Sequence, residues 1–291
     1  MGLIYSRIAD LNIKFDCCHK DYFKKRLAEY IVDNEENIDL NLSFEIKDKI
    51  DIGNLELLEK NNGILLYKVD ENTRKVVIYN TGVPIKAYSY SKDHTYAHIE
   101  FIPYEKQLFP ILEREYLYSL DAFNAKILYS GGLCFHSSAI SFNGSGIAFS
   151  AISGTGKSTH ASLWRKYFPD ETVHVNDDKP ALVFHEDYAM LHGTPWSGKT
   201  DINTNISVPL KALVFIRQAA ENKAYKLDVK NSYFHVLNNA FKSYSDLSLD
   251  DKYIIAVEKV LKLVPCYMLE CNISREAVDT IKSRLEDDNV I

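Results

Sequence analysis

The stretch FSAISGTGKSTHASLW, Phe149–Trp164, decides how this chain is read. It misses by one residue the phosphate-binding pattern of glycine, four residues, then Gly-Lys-Ser/Thr. Ala151 stands where the first glycine belongs, and Ile152-Ser153-Gly154-Thr155-Gly156-Lys157-Ser158 completes the motif. A strand-like apolar run enters the loop and a helical pattern, STHASLWRKYF, leaves it, which is the setting such a loop requires. Gly154 and Gly156 admit backbone angles that turn successive N–H groups toward a polyphosphate. The positive end of the following helix adds to that field. Ser153, Gly154, Thr155, Gly156, Lys157, Ser158 and Thr159 are therefore the expected nucleotide-binding residues. Lys157 is placed to reach the β and γ phosphates, and the Ser158 hydroxyl to ligate Mg²⁺. Ala151 is tolerable there if its φ is negative.

Outward from the loop, Asn176-Asp177-Asp178 ends the predicted strand TVHV. In an open α/β sheet the carboxyl ends of strands line the ligand crevice. Two carboxylates there suit magnesium binding or removal of a proton from an attacking hydroxyl. Alternation along a strand predicts that only one of them faces the phosphates, and a plain surface turn is the other reading. Upstream, LCFHSSAISF and GIAFSA flank Asn143-Gly144, a hairpin signal. A four-residue connection pairs Phe142 with Ile147 and puts His136 opposite Ser153, while a two-residue turn puts it opposite Ala151. Either register brings the imidazole beside the loop, where it could touch a metal, a phosphate oxygen or a carboxylate. A carboxylate neighbour would favour its charged form. An ordinary hydrogen-bonded strand histidine is the alternative.

These residues, FHSSAISFNGSGIAFSAISGTGKST followed by VNDD, resemble the phosphoenolpyruvate carboxykinase and HPr kinase/phosphorylase superfamily. The resemblance runs from about Leu133 to Ala219, and the tail VPCYMLECNISREAVDTI is similar in style. It implies a P-loop kinase fold that uses ATP and Mg²⁺, with Lys157 on phosphate and Ser158 on metal. It further implies a catalytic carboxylate at Asp177 or Asp178, and His136 as neighbour of the metal or the carboxylate. The segment GTPWSGKTDINTN, Gly193 to Asn205, resembles a stretch of HPr-kinase-like proteins, with Lys199 open to a phosphate role and Trp196 to an acceptor pocket. Arg217 reads either as a charge clamp or as a surface salt bridge.

The rest of the chain sets the frame. At 291 residues it can bury one large core or two ordinary ones. A net charge of −6 gives no basic surface for nucleic acid. No apolar run approaches the roughly 18 residues of a membrane helix. The Met-Gly start with Ser6 fits an acylation pattern, but MGLIYSRIADLNIKFD reads as a strand. The five cysteines form no C-x-x-C pair and are expected as reduced thiols of a cytoplasmic protein. Residues 1–130 read as a β-rich antiparallel domain closed by a helix after Pro110. Residues 131–291 read as the kinase domain, so the whole is α/β, or α+β overall. The expected activity is transfer of the ATP γ-phosphoryl group to a hydroxyl, with a serine of a protein or peptide as acceptor. A small-metabolite kinase and a non-catalytic nucleotide-binding regulator are the alternatives, and the sequence leaves room for a homo-oligomer.

Overall fold

The computed structural model describes residues 2–33, 36–61, 63–103, 109–243 and 246–291. Met1 of the acylation pattern lies outside the described residues. The chain divides into two compact units, Met1–Tyr129 with Ser243–Leu249, and Ser130–Lys242 with Asp250–Ile291.

The first unit is built on an eight-stranded sheet. Strands β1 (Gly2–Ile8) and β2 (Leu11–Cys17) form a hairpin, so the N-terminal run read as one strand is two. Ala9 and Asp10 make its turn with φ of 46° and 64°, the left-handed pair a two-residue connection demands. Helix α1 (Lys20–Arg26) follows, with Phe23 buried and Lys24 and Lys25 exposed, so its basic run forms a solvated face. Then come β3 (Leu40–Ile46), β4 (Glu56–Asn61), β5 (Ile64–Lys68), β6 (Thr73–Asn80), β7 (Val83–Ser91), β8 (Tyr96–Phe101) and helix α2 (Ile111–Tyr129). Strands β4 to β8 form the expected antiparallel meander. β3, however, runs parallel to both β2 and β8. The reason is the helical crossover after β2, which returns the chain to the same end of the sheet before β3 begins. The buried Glu115 carboxylate on α2 accepts the backbone N–H groups of Cys18 and His19, satisfying donors at the start of α1.

The second unit holds β9 (Leu133–Cys134), β10 (Ser138–Phe142), β11 (Ser145–Ser150), α3 (Lys157–Tyr167), β12 (Thr172–Asn176), β13 (Ala181–Phe184) and β14 (Ala189–His192). It continues with β15 (Ser207–Gln218), β16 (Lys223–Lys226), α4 (Val229–Asn239), α5 (Asp250–Leu263), β17 (Cys266–Cys271) and α6 (Arg275–Asp287). Its sheet runs β12-β10-β11-β15-β14-β13-β9, with β17 added beside β15 and β16 beside β17. β11, β15 and β17 are parallel, so their carboxyl ends open on one edge of the sheet. Trp164 of α3 is fully buried against Phe142 and Phe149, at 5.0 and 6.1 Å between ring centroids. That contact pins α3 across the two strands that lead into the loop. Ser274 caps α6, accepting the Ala277 N–H at 3.2 Å. The architecture is thus mixed α/β with a β-rich N-terminal part. All five cysteines are free, and among the described residues no helix is long and apolar enough to cross a membrane.

Candidate active site

The hairpin before the loop has the two-residue turn. Asn143 and Gly144 take φ of 48° and 80°, and Phe142 pairs with Ser145. The register that placed His136 opposite Ser153 is therefore wrong, because two left-handed residues close the turn without the longer connection. His136 instead falls just beyond the pairing, where its carbonyl accepts the Ser150 hydroxyl at 2.7 Å. The strand then gives way to the loop at Ala151, which is not among the residues of positive φ, so a side chain is tolerated there. Gly154 and Gly156 have φ of 81° and 114°, and a Cβ on either would meet nothing within 4 Å. Their requirement for glycine is one of backbone angle, not of space. Gly156 is the N-cap of α3, and Lys157 is its first residue.

Lys157 is nearly buried and folds back over the loop, its ammonium donating to the Ala151 carbonyl at 3.1 Å. Burial pulls its pKa below the usual lysine value, although Asp178 and Asp177 pull the other way. Facing it across a cleft of about 380 Å³ stand His136, Asp177, Asp178 and Lys199, with Ser153 and Ser158 on the loop side.

Both aspartates line this cleft, but unequally, and strand alternation is not what separates them. Alternation fails because β12 ends at Asn176. The Asn176 carboxamide oxygen accepts the N–H groups of Asp178 and Lys179, at 2.8 and 2.6 Å, and folds the chain into an Asx turn. Its amide nitrogen donates to the Thr194 carbonyl at 2.7 Å, tying that turn to the loop beyond β14. The two carboxylates then differ in environment. Asp177 has a side chain only 2% exposed and takes the Ser138 hydroxyl at 2.6 Å. Burial alone would raise its pKa, but the surrounding polar groups of His174, Ser138, Thr200 and Ser158 outweigh it and hold the carboxyl below its ordinary value. Asp178 is 27% exposed, 2.6 Å from the Lys179 ammonium and 3.3 Å from His136 Nε2.

Of the partners considered for His136, the structure supplies the carboxylate. The expected consequence does not follow. Burial, reinforced by the positive charges of Lys179 and Lys157, pulls the imidazole down to about 4 despite Asp178. Desolvation and two cations together exceed one anion, so the ring is neutral near pH 7.

The Gly193–Asn205 segment divides in two. Lys199 lines the cleft, whereas Trp196 is buried, at 2% exposed, and is not among the residues lining it. Arg217 is ion-paired with Glu270 on β17 and mostly exposed, the salt-bridge reading. Ser138, His174 and Thr200 escaped the sequence reading. Ser138 follows His136 by two residues and His174 precedes Asp177 by three, which were available signals, whereas Thr200 reaches Asp177 only through folding.

Residues 119–286, more than half of the chain, match the family model described as SynChlorMet cassette protein ScmC. Curated proteins yield no significant match. Among solved structures, the Hpr(Ser) kinase/phosphatase from Coxiella burnetii aligns over 53% of this chain and 98% of its own, at 9% identity and a TM-score of 0.33. A likeness of that size carries no weight for function.

Proposed function

We propose that this chain, which belongs to the family of SynChlorMet cassette protein ScmC, is an ATP- and Mg²⁺-dependent kinase that phosphorylates a hydroxyl, with a serine of a protein or peptide as acceptor. One observation carries the reading. A glycine loop at a helix N-terminus, with its lysine, looks across one small cleft at two carboxylates and a neutral histidine. A nucleotide sensor needs the first half of that arrangement and has no use for the second.

Phosphoryl transfer asks a protein mainly for position and charge neutralisation. The loop amides and Lys157 would hold the β and γ phosphates. The donor set fits a hard cation, because Ser158 and the Asp177 carboxylate line the same cleft and bring oxygen ligands to one side of it. Ser158 and Asp177 would hold Mg²⁺, whose chemistry is to offset charge on the phosphate oxygens. Asp178, the more open carboxylate, takes the acceptor's proton as its oxygen bonds to the γ phosphorus and the bridging bond to ADP breaks. His136 keeps Asp178 oriented without adding a charge of its own.

The test is transfer of γ-labelled phosphate from ATP, with Mg²⁺, into protein, peptide and small-molecule fractions. Label in a peptide or protein fraction, lost in Asp178→Asn, supports the reading. Label confined to small molecules moves the acceptor to a metabolite, and tight ATP binding with no transfer leaves a nucleotide-binding regulator.

A further inference from the structure

Beside the carboxylate cleft, the loop borders two others. One, of about 490 Å³, lies on the α3 side and the second, of about 660 Å³, on the α4 side. Each ends in an aliphatic side chain held out in water: Ile273 is 76% exposed at the first, and Ile152 is 84% exposed at the second. Both volumes would admit a small ligand.

The α3-side cleft continues the phosphate path. Gly156 and Thr159 line both it and the carboxylate cleft, so a chain of phosphates lying over the helix N-terminus leads into it. The next wall is one face of α3, Thr159, His160 and Leu163, at the spacing of residues that share a helix side. The opposite wall comes from the last residue of β15, Gln218, and the segment just past β17, Asn272 and Ile273, at the carboxyl ends of parallel strands. By contrast, the α4-side cleft touches no residue of α3 and includes the ion-paired Arg217.

The linings also differ in charge. No described residue of the α3-side cleft is acidic or basic. His160 is neutral as well, because burial pulls it to about 4 and its Nε2 accepts the donor-only Trp164 indole at 3.2 Å. An uncharged wall with two aliphatic plates and side-chain amides suits a neutral heteroaromatic base and its sugar. The Gln218 amide nitrogen is committed to the Thr155 carbonyl at 3.2 Å, which ties this wall to the loop itself.

We infer that the α3-side cleft holds the nucleoside half of the nucleotide, with Ile273 and Leu163 as apolar plates about the base. This rests on the phosphate-site reading above and goes beyond it. The experiment compares calorimetric binding of ATP and of inorganic tripolyphosphate, each with Mg²⁺, in wild type, Ile273→Ser and Ile152→Ser. Both isoleucines are exposed, so neither exchange threatens folding, and tripolyphosphate binding reports an intact loop. ATP should bind wild type more tightly than tripolyphosphate does. Ile273→Ser should weaken ATP by about tenfold, the scale of burying part of an aliphatic side chain, with tripolyphosphate unchanged. Ile152→Ser should alter neither. If Ile152→Ser alone removes the ATP advantage, or if wild type binds both ligands equally, the nucleoside assignment is overturned while the phosphate site stands. Binding of neither ligand overturns both.

Discussion

Lowering the pH should unfold this protein partly through His160, and the size of the effect follows from where that ring sits. It is buried on α3, edge-on to Phe149 at 4.8 Å between ring centroids, and its Nε2 accepts the Trp164 indole N–H. Protonation would turn that acceptor into a donor facing a donor, in a place without water. The folded pKa is accordingly about 4, against 6.5 for a free imidazole. Because the folded value is the lower one, the unfolded chain binds the extra proton first. The contribution to stability is therefore complete above the unfolded value and shrinks as pH falls toward the folded one. At about pH 4.5 the unfolded ring is almost wholly charged and the folded one mostly neutral, which costs about 2 to 3 kcal/mol relative to pH 7.5. Urea melts followed by tryptophan fluorescence at several pH values would measure it, since Trp164 lies at the site. His160→Gln, which keeps an acceptor for the indole, should be less stable at neutral pH but should lose about 2 to 3 kcal/mol less on acidification. His136 and the carboxylates titrate in both proteins and cancel in the comparison. Parallel pH dependence in wild type and variant would refute the argument.

Lys157→Ala should abolish most of the rise in melting temperature that ATP with Mg²⁺ produces, yet leave the unliganded protein as stable or slightly more so, because its desolvated ammonium is gone; thermal melts with and without nucleotide decide it. Asp177→Asn should cost about 1 to 3 kcal/mol of folding stability by placing an amide beside the donor Ser138, whereas Asp178→Asn should abolish turnover with little loss of stability. Denaturant melts and initial rates on the two variants would show the split, and equal stabilities would contradict it. Gly198→Ala should lower turnover as well as stability, since the new Cβ would lie 3.0 Å from an Asp178 carboxylate oxygen at a φ of 68°. The backbone strain alone is worth about 1 to 2 kcal/mol, and a variant with wild-type rates would separate that loop from Asp178.

The sequence by itself determined the local devices of this protein. Asn143-Gly144 read as a turn, glycines at 154 and 156 could supply the angles of a phosphate loop, and apolar runs marked the strands on either side of that loop. Each of these is decided by neighbours in the chain, through φ preference and periodicity, so it is legible without a fold. Helix α4 was missed although Asp228 caps it and accepts the Asn231 N–H, because its buried face is narrow, Ser232 and Val236. What only tertiary structure decided is how long-range partners tune the same side chains. That β3 runs parallel to its neighbours depends on a crossover, not on its residues. Asp177 and Asp178 are adjacent and chemically identical in sequence, yet one is locked by Ser138, 39 residues away, and the other faces His136 and open cleft. For His136 the sequence left metal, phosphate and carboxylate open as partners, and the fold supplies the carboxylate of Asp178. The imidazole pKa depends on the balance of burial, two lysines and one aspartate, and that balance exists only once distant segments have met and excluded water.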